Sequence, residues 1–256
     1  MIPKIIHQIY WDFYGNNKDI PKKWEKYHAS WKRHFPESEY QHILWDYDMC
    51  RDLIKNEYTW FLENFDNYPK HIQRADSVRY FILYHYGGLY ADLDCEVREG
   101  FYQYLDQNKI NLAQSPYHDD GMMNNLMASP KKIELWKNVF STLETKKNIS
   151  STLESTGPGV LTDTFKEKNN INVLGYNEFN PLKKRPYFYG LIENTFFVPL
   201  DNEKAENWHK AYVVHHGSES WRREEILTII YENKFFLFLF FVLLILFVGK
   251  YALYSN

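Results

Sequence analysis

The sequence predicts an α/β fold with a mostly parallel central sheet, followed by a C-terminal hydrophobic helix. Three observations predict it. Short apolar runs (IPKIIHQIY at 2–10, YQHILW at 40–45, GLYA at 88–91, INLAQ at 110–114) alternate with stretches whose apolar residues recur at helical spacing. The run from Arg74 to Glu96, RADSVRYFILYHYGGLYADLDCE, reads as helix, glycine turn, strand and then two aspartates one residue apart. Near the other end, Phe235 to Val248 is unbroken apolar sequence, FFLFLFFVLLILFV.

A chain of 256 residues has room for one full-sized core plus excursions, so one catalytic-type domain is expected over 1–230 and a separate tail over 235–253. Aromatics make up 18% of the chain, enough to line a cleft as well as to fill a core. The net charge of −3 comes without a long basic run, which argues against a nucleic-acid partner. Two cysteines, Cys50 and Cys95, do not make a disulfide scaffold and are compatible with a reducing compartment.

The first strand is expected from Pro3 to Tyr10, with His7 inside it and with Tyr10 and Trp11 leaving its end, free either to pack or to stack on a base or sugar. Asp19-Ile20-Pro21 reads as a helix start with Asp19 as cap, and Trp24, Tyr27, His28 and Trp31 give that helix an aromatic face. After Pro36 comes a second strand, Tyr40 to Trp45. Asp46 and Asp48 then form a turn and cap a helix beginning near Met49. The following segment, to Tyr68, is irregularly helical. In the central run Ala75, Val78, Phe81 and Ile82 mark the apolar face of a helix, with Asp76 and Arg79 one turn apart on a polar flank. Gly87 and Gly88 end it.

Beyond that run, Ile110 to Gln114 is a strand and Ser115 to Met123 a polar loop leading to Asn124 and Asn125, whose carboxamides can cap the loop or bind a base edge or sugar hydroxyl. Pro130 to Leu143 is a helix, Thr156-Gly157-Pro158-Gly159 a tight turn into a helix from Val160 to Phe165, and Ile171 to Leu174 a strand. A basic loop carries Lys183, Lys184 and Arg185. The last strand, Tyr212 to His215, runs into His216, Gly217 and, after three residues, Trp221.

The chemistry concentrates at Asp92 and Asp94. In extended backbone the two carboxylates face one way and Leu93 faces the core. Hard oxygen ligands at that spacing suit Mg²⁺ or Mn²⁺ shared with a diphosphate. Ligands of open α/β sheets sit at the carboxyl ends of strands, and an imidazole from His215 or His216 could complete the coordination. A solvated turn is the plain alternative for a lone D-x-D, and the glycine pair, the strand and Arg79 are what speak against it.

IPKIIHQ at the start, R-x-D-x-x-R-Y, GGLYADLD, TGPGVLT and the closing HHGSESW together resemble glycosyltransferase family 32 over residues 2–222. The resemblance implies a GT-A-like nucleotide-sugar fold and a retaining, divalent-metal-dependent transfer of a hexose or N-acetylhexosamine from a nucleotide-diphosphate sugar to a glycan or glycolipid. It implies Asp76, Arg79, Asp92 and Asp94 as catalytic residues. Tyr10 or Trp11, Asp76, Arg79, Asp92, Asn124 or Asn125, and Trp221 would meet the donor, and Asp92, Asp94, His215 and His216 the Mn²⁺ or Mg²⁺ ion. Gly217 stands where the family carries Trp. A phosphohydrolase acting on nucleotide diphosphates and a non-catalytic sugar-binding module remain as alternatives. The apolar tail reads as a single-pass C-terminal anchor. With no signal peptide expected, the catalytic domain would face the cytosol, in a Golgi-like or viral setting.

Overall fold

A computed structural model of the chain describes residues 1–12, 19–181 and 210–217. In order they form β1 (Ile5–Ile9), α1 (Lys22–His34), β2 (Gln41–Trp45), α2 (Tyr47–Glu57), a 3-10 turn (Thr59–Phe61), α3 (Leu62–Asn67), α4 (His71–Tyr86), β3 (Gly88–Ala91) and β4 (Cys95–Val97). A second 3-10 turn (Tyr102–Tyr104) precedes β5 (Ile110–Gln114), β6 (Met122–Ser129), α5 (Trp136–Lys146), α6 (Thr152–Ser155), α7 (Pro158–Thr164), β7 (Ile171–Leu174), α8 (Tyr176–Phe179) and β8 (Val213–His215).

The main sheet has the order β2-β1-β3-β6-β5-β7. The pairs β1–β2, β1–β3 and β5–β7 are parallel, and only β6 runs against its neighbours β3 and β5. This is the mostly parallel α/β arrangement expected, with one antiparallel strand that the sequence did not announce. Side-chain alternation sorts the sheet onto two cores. Tyr90, Met127 and Leu112 enter a layer with Phe61, Phe65, Phe81, Trp136 and Phe140. Their neighbours Leu89, Ala91, Leu126, Ala128 and Ala113 enter the opposite layer, with Trp31, Phe35 and Phe101. In the first layer the rings of Phe81 and Phe140 stack 4.2 Å apart. A small antiparallel ribbon, β4 with β8, stands beside the second, with Cys95 opposite His215 and Val97 opposite Val213.

Several expectations shift. α1 starts at Lys22 after Pro21, so Asp19 is not its cap. Asp46 does cap α2, accepting from the Met49 amide at 2.9 Å. α5 starts at Trp136, later than Pro130, because residues 130–135 form turns first. Residues 122–129 form a strand where a loop was expected at its start. In α4 the polar flank is not exposed: Asp76 and Arg79 are buried along with Val78 and Phe81, since the helix is enclosed by the layer around it. The tail over 235–253, Trp221, the end of the domain at 230 and the basic loop Lys183-Lys184-Arg185 lie outside the described residues. Among the described residues no helix is long and apolar enough to cross a membrane.

One buried histidine ties the layers to the site. His7 of β1 is fully buried; its Nε2 lies 2.9 Å from the Gly87 carbonyl and its Nδ1 accepts from Trp45 Nε1 at 3.1 Å. A donor facing Nδ1 and an acceptor facing Nε2 fix the neutral Nε2–H tautomer. Burial pushes the His7 pKa down to about 4.

Candidate functional site

The site forms between α4 and the carboxyl end of β3, two elements joined by a tight reversal. Gly87 and Gly88 have φ of +67° and +97°, a region that side chains with a Cβ rarely adopt. A Cβ at Gly88 would stand 2.5 Å from the Ile5 carbonyl oxygen, and one at Gly87 2.7 Å from the Lys131 amide. The tight reversal lays α4 across the end of β3, so a helix residue and a strand-end residue meet.

They meet at Arg79, which is 3% exposed. Its guanidinium reaches Asp76 Oδ1 at 2.6 Å and Asp92 Oδ1 at 3.1 Å. It also donates to the carbonyls of Asn124 (2.9 Å) and Ala75 (3.3 Å) and lies 4.8 Å from the Tyr90 ring centroid. Such a fork holds two carboxylates in a fixed geometry that an ammonium could not. Burial works against the Arg79 charge, but Asp92, Tyr90 and Asp76 outweigh it and keep the guanidinium cationic. The cost of burial falls on the acids. Asp76 is pushed up to about 6 by desolvation, against the pull of Arg79. Asp92 is raised by desolvation too, and the Asp94 charge adds to it.

A second tier holds these acids. Asn124 Nδ2 donates to Asp76 Oδ1 (3.3 Å) and to Tyr80 Oη (3.4 Å). The Tyr80 hydroxyl donates to the Thr156 carbonyl at 2.9 Å, so the Thr156-Gly157-Pro158 turn is tied to the acid cluster through its carbonyls. Tyr90 Oη donates to Asp92 Oδ1 at 2.8 Å, and the Asp92 amide donates to the Asn125 carbonyl at 2.9 Å. Sequence reasoning passed over Tyr80 and Tyr90. The signal was present for Tyr90, which shares the strand face of Asp92 two residues on.

The D-x-D itself is not extended. Asp92 to Cys95 closes a turn, with the Cys95 amide donating to the Asp92 carbonyl at 3.0 Å. Leu93 is buried as expected, but the two carboxylates take different partners. Asp92 faces Arg79. Asp94 Oδ1 stands 3.2 Å from His215 Nε2. The backbone of the two histidines is pinned here, the His216 amide donating to the Asp94 carbonyl at 2.9 Å. The His216 ring turns elsewhere: its Nε2 is 2.9 Å from Glu96 Oε2, and it stacks on Tyr27 at 4.0 Å. The His216 bond, opposed by burial and helped by Arg98, holds the Glu96 carboxyl below its usual range.

The ligand atoms of Asp94, Cys95 and His215 all lie within 4.8 Å of one another, the one such trio among the described residues. Asn125 lies over this corner, its Nδ2 3.6 Å from Cys95 Sγ. Tyr10 packs edge-on to Trp24 and Trp11 edge-on to Tyr47. Trp11 is part of the core layer under α2. Trp221 is outside the described residues.

Residues 21–112 match the family model described as glycosyltransferase sugar-binding region containing DXD motif. The chain is 34% identical over 217 residues to mannosyl phosphorylinositol ceramide synthase CSH1 of Saccharomyces cerevisiae, covering 82% of this chain and 53% of that protein. It is 31% identical over 242 residues to inositol phosphoceramide mannosyltransferase 2 of Schizosaccharomyces pombe, covering 91% and 62%. A protein named uncharacterized glycosyltransferase L373, of Acanthamoeba polyphaga mimivirus, is 27% identical over 93% of this chain and 92% of its own length. The chain thus spans about half the length (53%) of the first of these relatives. Among solved structures, the galactosyltransferase LgtC with donor and acceptor sugar analogs aligns at TM-score 0.47 and 13% identity, over 84% of this chain and 88% of that one.

Proposed function

We propose that the chain, whose residues 21–112 match the DXD-containing glycosyltransferase sugar-binding model and whose motifs resemble glycosyltransferase family 32, is a member of that family and transfers a sugar from a nucleotide-diphosphate donor to a glycan or glycolipid. The observation that carries this reading is the buried Arg79, which gathers Asp76 and Asp92 at the carboxyl end of β3 while Asp94 turns to His215. The names of the relatives favour mannose as the sugar and an inositol phosphoceramide glycolipid as the acceptor.

A divalent cation fits this corner. Asp94 and His215 offer an oxygen and a nitrogen 3.2 Å apart, and Asp94 raises Asp92 by repulsion that a cation would relieve. We assign Asp94 and His215 as its holders, with Asp92 beside them and His216 bound instead to Glu96. When bound, Mn²⁺ or Mg²⁺ supplies Lewis-acid neutralisation of a leaving diphosphate.

The residues themselves position and neutralise. Asp92, locked by Arg79 and Tyr90, accepts from donor hydroxyls, and Asn124 and Arg79 order Asp76 against the sugar. Tyr10 at the end of β1 is the candidate for the nucleobase, and Trp221 for the diphosphate. Asp76 Oδ1 already accepts from Arg79 and Asn124, which disfavours it as a nucleophile. Retention therefore proceeds by front-face displacement, the leaving phosphate oxygen taking the acceptor proton.

The test is a donor screen on the full chain with GDP-mannose, UDP-galactose and UDP-N-acetylglucosamine, each with and without Mn²⁺ and candidate glycolipids. Metal- and acceptor-dependent nucleotide release with retained anomeric configuration is expected. Release that ignores every acceptor would instead favour a phosphohydrolase, and a covalent sugar trapped on Asp76 would sink the front-face step.

A further inference from the structure

We propose that Cys95 is a third donor to the cation site and biases it toward thiophilic divalent ions, Zn²⁺ and Co²⁺, over Mg²⁺. The inference rests on the reading that Asp94 and His215 hold a cation, and adds a ligand and a selectivity to it. Cys95 and His215 are directly opposed across the antiparallel β4–β8 ribbon, so their side chains share one face. The register is pinned on both sides, by Val97 opposite Val213 and by the His216 amide on the Asp94 carbonyl at 2.9 Å. Asp94, next in sequence, turns its carboxylate to the same imidazole. Oxygen, sulfur and nitrogen donors thus lie within 4.8 Å of one another. Ligands of one zinc ion sit about 2.0–2.3 Å from it, so a small inward closure joins all three.

In the metal-free form the sulfur stays a thiol: Sγ donates to the Asn125 carbonyl oxygen at 3.5 Å, and burial with the Asp94 and Asp92 charges pushes its pKa up. Asn125 Nδ2 approaches Sγ at 3.6 Å, the kind of amide contact that orients a ligand and favours its charged form. The other end of that carboxamide, Asn125 Oδ1, is buried with no hydrogen-bond partner among the described residues, on a residue only 1% exposed. Burial is not the distinguishing feature. Cys50 and Cys95 are equally buried, each in one of the two core layers, and only Cys95 belongs to a group of ligating side chains among the described residues. On loading, the Sγ–H bond breaks, the proton passes to solvent and a sulfur–metal bond forms, with no change of oxidation state. Carboxylate, imidazole and thiolate together suit Zn²⁺ or Co²⁺. Mg²⁺ wants oxygen alone.

The probe is Co²⁺ added to the EDTA-stripped full chain. A sulfur-to-cobalt charge-transfer band in the near ultraviolet is expected in the wild type, absent from C95S and kept in C50S. In parallel, Zn²⁺ should displace Mn²⁺, read by release of its electron paramagnetic resonance signal. C95S should weaken Zn²⁺ by at least the ~10–100-fold typical of lost supporting ligands, with less effect on Mn²⁺. C50S leaves Cys95 as the only cysteine, so its band assigns the donor even where C95S fails to fold. If Mn²⁺ binds but no charge-transfer band forms, or C95S keeps the band, Cys95 is not a ligand and the Asp94–His215 site stands. If neither Mn²⁺ nor Co²⁺ binds, the cation reading falls with it.

Discussion

Arg79 concentrates the consequences of the site in one side chain. Its planar fork joins two acids and two carbonyls, so Lys in its place keeps the charge and loses the geometry. R79K should lower kcat/KM for the donor by about 10²-fold or more. Leaving buried Asp76 and Asp92 poorly compensated should also cost about 3 kcal/mol of stability, read by urea denaturation. Wild-type turnover in R79K would contradict the role assigned. Tyr90→Phe is a gentler probe. Asp92 Oδ1 loses the 2.8 Å bond from Tyr90 Oη but keeps Arg79, so about 1 kcal/mol should be lost, with a rise in donor KM larger than any fall in kcat. An effect as large as that of R79K would mean that Tyr90 does more than orient Asp92. These residues show what could be read from the chain directly. Asp76, Arg79, Asp92 and Asp94 were legible as a group because a glycine turn between a helix and a strand brings them to one end. That Asp92 and Asp94 would turn to different partners was not legible, because a turn and an extended D-x-D have the same spelling.

At the scale of elements, the α4–β3 reversal and the first strand position everything else. A methyl group at Gly88 meets the Ile5 carbonyl at 2.5 Å in a backbone with φ of +97°. G88A should therefore cost at least about 2 kcal/mol and disturb β1 as well as β3. A neutral outcome in thermal unfolding would contradict the close approach. His7 gives a prediction with a sign. Its folded pKa, about 4, lies below the unfolded value of 6.5. The unfolded chain therefore takes up a proton first, and stability present above pH 6.5 is lost as pH falls through 4. The full difference is about 3 kcal/mol. His7→Gln should be less stable than wild type at pH 8 but flatter by about that amount between pH 7 and pH 4. Equal slopes would contradict a buried neutral imidazole. The strands β2, β5 and β7 were legible from apolar runs between turn residues. β6 was not, because Asn124 and Asn125 break its apolar pattern. They are polar for the sake of Asp76, Tyr80 and Cys95, so a functional demand overrode the pattern used to find strands.

For the molecule as a whole, the sheet order explains why distant stretches meet. β3 lies between β1 and β6, and the β4–β8 ribbon brings His215 to Asp94 and His216 to Glu96, the latter pair 120 residues apart in the chain. The sequence offered His215 or His216 as a further ligand beside the two aspartates. It could not say which ring faced the acids, because adjacent residues of a strand end point to opposite sides and only the register with β4 decides. The register gives Asp94 to His215 and Glu96 to His216. His215→Ala should thus weaken Mn²⁺ far more than His216→Ala, which should act mainly on stability through Tyr27 and Glu96. The reverse order in Mn²⁺ titrations would contradict the assignment. The most direct test of the central claim is calorimetric titration of the full chain with GDP-mannose and UDP-sugars, with and without Mn²⁺, in wild type and Asp94→Asn. The account predicts Mn²⁺-dependent binding of at least one nucleotide sugar, lost in the variant while its thermal unfolding stays cooperative. Failure of wild type to bind any nucleotide sugar in the presence of Mn²⁺ would contradict it.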